Sequence, residues 1–78
     1  MNQNPSPPRH FGEQVAARFT ERGLTLRDVS DATGIPLTTL HRRLRSESMA
    51  FTLGELTRIA GLLGTTAGRI VTDYEGAA

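Results

Sequence analysis

A chain of 78 residues with a formal net charge of +1 has room for about one small domain with one core, and little room for an enclosed active site. Hydrophobic residues make up 37% and charged residues 22%, ordinary for a globular chain, but aromatics are only 5%, so Leu, Ile and Val must supply the packing of what should be a helical, all-α fold. Cysteine is absent, which excludes disulfides and thiolate metal sites, and no apolar run approaches the roughly 18 residues of a membrane span, so a soluble cytoplasmic protein with no membrane contact is expected.

The opening "MNQNPSPPRH" has three prolines within four positions and no apolar periodicity, which predicts a disordered arm over residues 1–10. Its Arg9 is either part of that disorder or a basic group that follows a minor groove. Order is expected from Phe11. Phe11, Val15, Ala16 and Phe19 recur on one helix face, and Gly23 stands where a C-cap belongs. Next, "TLRD" sets Thr25 three residues before Asp28, a capping box that opens a second helix from about Leu26 to Thr33. Gly34 ends it, and Pro36 suits the first turn of a third helix that runs to about Arg45. The connection is so short that Gly34 should take positive φ. A second capping box, Thr52 with Glu55, opens a fourth helix with Leu53, Leu56, Ile59, Ala60 and Leu63 on one face, closed by Gly64. Gly54, Gly61 and Gly68 each cost about 1 kcal/mol against alanine in a helix. A short fifth helix spans about Thr66 to Val71. The folded domain is placed at residues 11–73 and a flexible tail at 74–78.

Charge is uneven along this plan. Residues 36–46 carry Arg42, Arg43 and Arg45 with no acid; the chain's +1 less this +3 leaves −2 for everything else. The runs "LTLRDVSDATGIPLTTLHRRLRS" and "FTLGELTRIAGLLGTTAGRIV" together resemble the helix-turn-helix domain of the lambda-repressor-like family, which includes the Cro proteins and small phage and bacterial repressors. The likeness covers about Phe11 to Val71. It rests on a capped second helix, the Gly34 turn followed by apolar Ile35, Leu40 six residues after that glycine, and the "LTRIAGLLG" helix. Three positions depart from the family pattern. Leu26 stands where relatives often have glutamine, Thr33 where they have a large apolar residue, and Arg43 where many have an aliphatic one, with Leu44 supplying the core contact one position later.

The resemblance implies a compact five-helix domain that binds double-stranded DNA through its third helix, and the helical wheel is consistent with that. Leu37, Leu40 and Leu44 fall within about 60° of one another and define the buried direction. Arg42 lies almost opposite, with Thr38, Thr39 and Arg45 on the same outward face and Arg43 and His41 on its flanks. A recognition helix needs this layout, because outward residues meet base edges and flanking ones meet phosphates. Arg42 is expected to read a guanine, and Arg43 and Arg45 to hold phosphates. Arg27 on the second helix joins the DNA-binding set. His41 is either a groove contact or an ordinary surface residue. Leu37 is either a thymine-methyl contact or, as the wheel favours, a core residue.

No Ser/His/Asp arrangement or glycine-rich phosphate loop appears, and the acids Asp28 and Glu55 are accounted for as capping residues, so no enzyme, small-molecule substrate or cofactor is expected. His10 has no second ligand at metal spacing. The function read from the sequence is therefore a sequence-specific transcriptional regulator, a small Cro-like or repressor-like protein of a phage or prophage that acts by occupying an operator. The competing reading is a protein-interaction module on the same fold, such as an antitoxin or a partner of the transcription machinery. A homodimer on DNA would place two recognition helices about 34 Å apart. Ile70, Val71 and Tyr74 are either its contact surface or the residues that close the core.

Overall fold

The structure is a computed structural model that describes residues 10–76. Within them run α1 (Phe11–Glu21), α2 (Leu26–Thr33), α3 (Leu37–Arg45), a 3₁₀ turn (Ser48–Ala50), α4 (Leu53–Leu62) and α5 (Ala67–Gly76). No strand occurs among the described residues. The disordered arm and the Arg9 expectation lie outside the described residues, as do positions 77–78.

Each helix start has a physical cause. Both capping boxes are formed. The Thr25 N–H donates to the Asp28 carboxylate (2.9 Å) and the Asp28 N–H to the Thr25 hydroxyl (3.1 Å). Thr52 and Glu55 repeat the exchange at 3.0 Å in each direction. α1 is capped by His10, whose Nδ1 accepts from the Glu13 N–H at 3.3 Å, so residue 10 belongs to the domain rather than to the arm. α3 starts at Leu37, with Pro36 as its N-cap instead of its first helical residue, and it has no side-chain cap.

The core gathers Phe11, Val15 and Phe19 of α1, Val29 of α2, Ile35 of the turn, Leu40 and Leu44 of α3, Phe51, then Ile59, Ala60, Leu63 and Ile70. α1 packs against α3, and α2 against both α3 and α4. The α1–α3 contact depends on Gly12. A Cβ there would lie 2.2 Å from the Leu44 carbonyl oxygen, so the two backbones approach at a distance that no other residue permits. Gly61 and Gly68 differ: a Cβ at either position meets nothing within 4 Å, and no contact offsets their helical cost.

Two expectations are corrected. Leu53 does not join the apolar face of α4 but is 74% exposed. As the first residue of the helix it sits about 70° from the mean direction of Leu56, Ile59, Ala60 and Leu63. The last helix continues to Gly76, so residues 74–76, expected as a tail, form its final turn. What holds that turn is a long-range contact. Tyr74 packs edge-on against Phe11 with ring centres 5.3 Å apart, and the Arg18 guanidinium donates to Asp73 at 2.6 Å, binding α5 to α1.

Candidate nucleic-acid interface

The turn between α2 and α3 sets the direction of the third helix. Gly34 has φ +79°, the left-handed conformation its brevity demanded. Side chains from two helices then fix it. The Ser30 hydroxyl donates to the Ile35 carbonyl (2.6 Å), and Arg58 reaches from α4 to donate to the Thr33 carbonyl (2.9 Å). Thr33, the departure from the family's apolar residue, is buried with its hydroxyl donating to the Val29 carbonyl (2.7 Å) and accepting from the Ile35 N–H (3.3 Å). A buried hydroxyl at this position is therefore fully used in shaping the turn.

α3 buries Leu40 and Leu44, and its opposite side is open. A shallow concavity of about 440 Å³ on that side is lined by Thr38, His41, Arg42, Arg45 and Ser46. Four of the expected residues, Thr38, His41, Arg42 and Arg45, are thus brought together and exposed. Thr39 and Leu37 are both half-buried, and Leu37, which the wheel favoured as a core residue, is not among the side chains packed against the core. Arg27 is exposed in the first turn of α2. Among the described residues neither Arg27 nor Arg45 makes a salt bridge. Arg42 makes one, through its Nε to Glu47 at 2.9 Å.

Arg43 is placed differently from the rest of this set. It does not flank the open face as a phosphate contact would. Its side chain is 16% exposed, ion-paired to an equally covered Glu55, with the guanidinium carbon 6.0 Å from the centre of the Phe51 ring. The wheel placed it about 90° from the core direction, where either fate is geometrically open. α4 decides the matter by presenting Glu55, the same carboxylate that caps its own first turn. Arg43 therefore occupies the aliphatic position of the family pattern as an inward-facing residue, its stem packed and its charge paired.

Other arginines close helix ends elsewhere: Arg22 donates to the Leu63 carbonyl at 2.6 Å, at the end of α4, as Arg58 does at the end of α2. Cations near carbonyl termini satisfy orphan acceptors and complement the helix dipole. The residues sequence reasoning missed at the open face are Ser46 and Glu47. Both lie in a connecting segment whose path becomes visible only with the fold. Two carboxyls in the domain are held below their ordinary value of 3.8: Asp28 by the Thr25 backbone N–H and then its hydroxyl, and Asp73 by the Arg18 guanidinium, aided by Arg69. Among the described residues no group of three or more His, Asp or Glu side chains is placed to hold a metal ion, and no helix is long and apolar enough to cross a membrane.

Comparison with known proteins identifies a family. Residues 18–74 match the sequence profile of a family described as the Cro/C1-type HTH DNA-binding domain. No curated protein and no solved structure matches the chain.

Proposed function

From the premise that this chain belongs to the Cro/C1-type HTH DNA-binding domain family, and is a DNA-binding regulator of the general kind that family implies, we propose a more specific role. It is a sequence-specific transcriptional regulator, a Cro-like or repressor-like protein of a phage or prophage, that lays α3 in the major groove of an operator and acts in the cytoplasm by occupancy, without chemistry of its own. The observation that carries the reading is the outward concavity of α3, where Thr38, His41, Arg42 and Arg45 converge on the side opposite Leu40 and Leu44. A groove-reading helix needs polar groups facing outward on a helix anchored firmly from behind.

Within that reading Arg42 pairs with the two acceptors of a guanine edge, Thr38 and His41 contact neighbouring base edges, and Arg45, Arg27 and Thr39 hold phosphates. Arg43 has no part in it. Two copies bind a near-palindromic site, and the face that suits the second copy is a groove of about 230 Å³ lined by Phe11, Met49, Phe51, Val71 and Tyr74 among others. Met49 is 76% and Val71 37% exposed there, whereas Ile70 is committed to the core.

The test is a salt titration on a duplex selected from a random pool and on its scrambled counterpart. Arg42→Ala should cost about 1–3 kcal/mol on the selected duplex and little on the scrambled one. Arg45→Ala should weaken both alike and reduce the slope of log K against log salt by about 1 per subunit. If neither variant nor Arg27→Ala altered DNA binding, the protein-interaction reading would replace this one.

A further inference from the structure

We propose that Glu47 is a positioning residue for sequence recognition: it holds the Nε edge of Arg42, so that only the terminal pair of guanidinium nitrogens is presented to a base. This rests on the DNA-reading role assigned to Arg42 above. The Arg42 Nε–H donates to Glu47 Oε1 at 2.9 Å, five residues along the chain. The backbone places Glu47 within reach of that contact. Both the Ser46 and the Glu47 N–H groups donate to the Arg42 carbonyl, at 3.0 and 3.1 Å, turning the chain back over the last turn of α3. On its other side the Glu47 carbonyl accepts from the Ala50 N–H at 2.9 Å, in the 3₁₀ turn. The main chain of Glu47 is thus held on both sides, and its carboxylate meets one edge of the guanidinium.

An exposed ion pair of this kind adds little to folding stability, since both side chains are about half exposed: 51% for Arg42 and 48% for Glu47. A carboxylate beside a phosphate-facing surface also subtracts from attraction to any DNA. Its chemistry favours discrimination instead. A free guanidinium offers five N–H donors in many orientations and can satisfy itself on whichever phosphate is near. With Nε engaged, the guanidinium plane is set before contact, and the two terminal nitrogens match the O6 and N7 acceptors of guanine without further ordering. Generic affinity falls and the margin between right and wrong sequence widens.

The experiment compares Glu47→Ala and Glu47→Gln, alone and with Arg42→Ala, by fluorescence anisotropy on the selected and scrambled duplexes, with Arg42 Nε–H exchange followed by NMR in the free protein. Glu47→Ala should tighten binding to scrambled DNA and lower the selected-to-scrambled ratio about tenfold. Glu47→Gln, which keeps an oxygen acceptor for Nε–H, should retain most of that ratio. In the Arg42→Ala background the alanine change should leave the ratio where it was. The Nε–H exchange should be slowed in the native protein and in Glu47→Gln but fast in Glu47→Ala. An unchanged ratio in Glu47→Ala, an equal fall in the Arg42→Ala background, or Nε–H exchange indifferent to residue 47 would each overturn the positioning role while leaving DNA recognition standing. A native protein that binds both duplexes equally would overturn the recognition reading together with this one.

Discussion

Arg42 and Arg43 are neighbours in sequence and about 100° apart around α3. Arg43 is buried to 16% exposure, paired with Glu55 and set beside Phe51, and Arg42 is 51% exposed, paired with Glu47 at the rim of an open concavity. The side chains are identical, so the difference comes from what faces them. Behind α3 stands α4 with a carboxylate already fixed by its capping box, and desolvation leaves Arg43 nowhere else to put its charge. In front stands water, and the charge of Arg42 stays available. One side of the helix holds the fold and the other side is free to bind.

The sharpest break of that comparison is Leu40→Ala on the inward side. Leu40 is fully buried, and its truncation should cost about 2–5 kcal/mol in a urea melt. Next comes Arg43→Ala, expected to destabilise by about 2–3 kcal/mol, because Glu55 would be left covered without its cation. Had Arg43 been a phosphate contact, the same variant would melt like the native protein and lose DNA affinity instead. Gly12→Ala should follow at about 1–3 kcal/mol, although alanine is the better helix former, since the new methyl group meets the Leu44 backbone. A thermal melt that rose in this variant would show that α1 and α3 are further apart than described.

Acid gives a smaller and graded effect. Asp28 and Asp73 bind protons less readily in the folded chain than in the unfolded one, so their contribution is present above pH 3.8 and is lost as pH falls through their lower native values. Asp73→Asn should flatten part of the acid limb of a plot of melting temperature against pH, by removing the bond from Arg18. The smallest effect is Arg42→Ala on stability, expected within about half a kcal/mol. A shift comparable to that of Leu40→Ala would mean that the two sides of α3 had been assigned in reverse.

The elements that the sequence marked locally are the ones it placed best. α2 has the expected bounds because its start is a four-residue capping box and its end a glycine in left-handed conformation, both complete within a short window. The open side of α3 was legible for the same reason, through three leucines at helical spacing. What escaped depends on partners distant in sequence. The final turn of α5 exists because Tyr74 meets Phe11, and Gly12 is required by a backbone more than thirty residues away. The pairing of Arg43, read from its flank position as a phosphate contact, was not legible because its partner lies on the next helix, and a carboxylate read as a cap gives no sign of holding a second group. Glu47 sits in a segment without periodicity, where sequence supplies no direction for a side chain.

Gly12 bears on the aim of the third helix as well as on its packing. Because the α1 backbone rests directly on Leu44, α3 is keyed in rotation as well as in position, and the direction in which Arg42 points depends on a glycine of another helix. Thr38 and Arg42 line the open concavity, whereas His41 and Arg45 also border a second hollow with His10, Glu13, Ala16 and Leu44, so these two stand next to the α1–α3 seam. A side chain at position 12 would push α1 from α3 and turn the exposed face of α3 with it, so the effect of Gly12→Ala should be read in the orientation of Arg42 as well as in the melt.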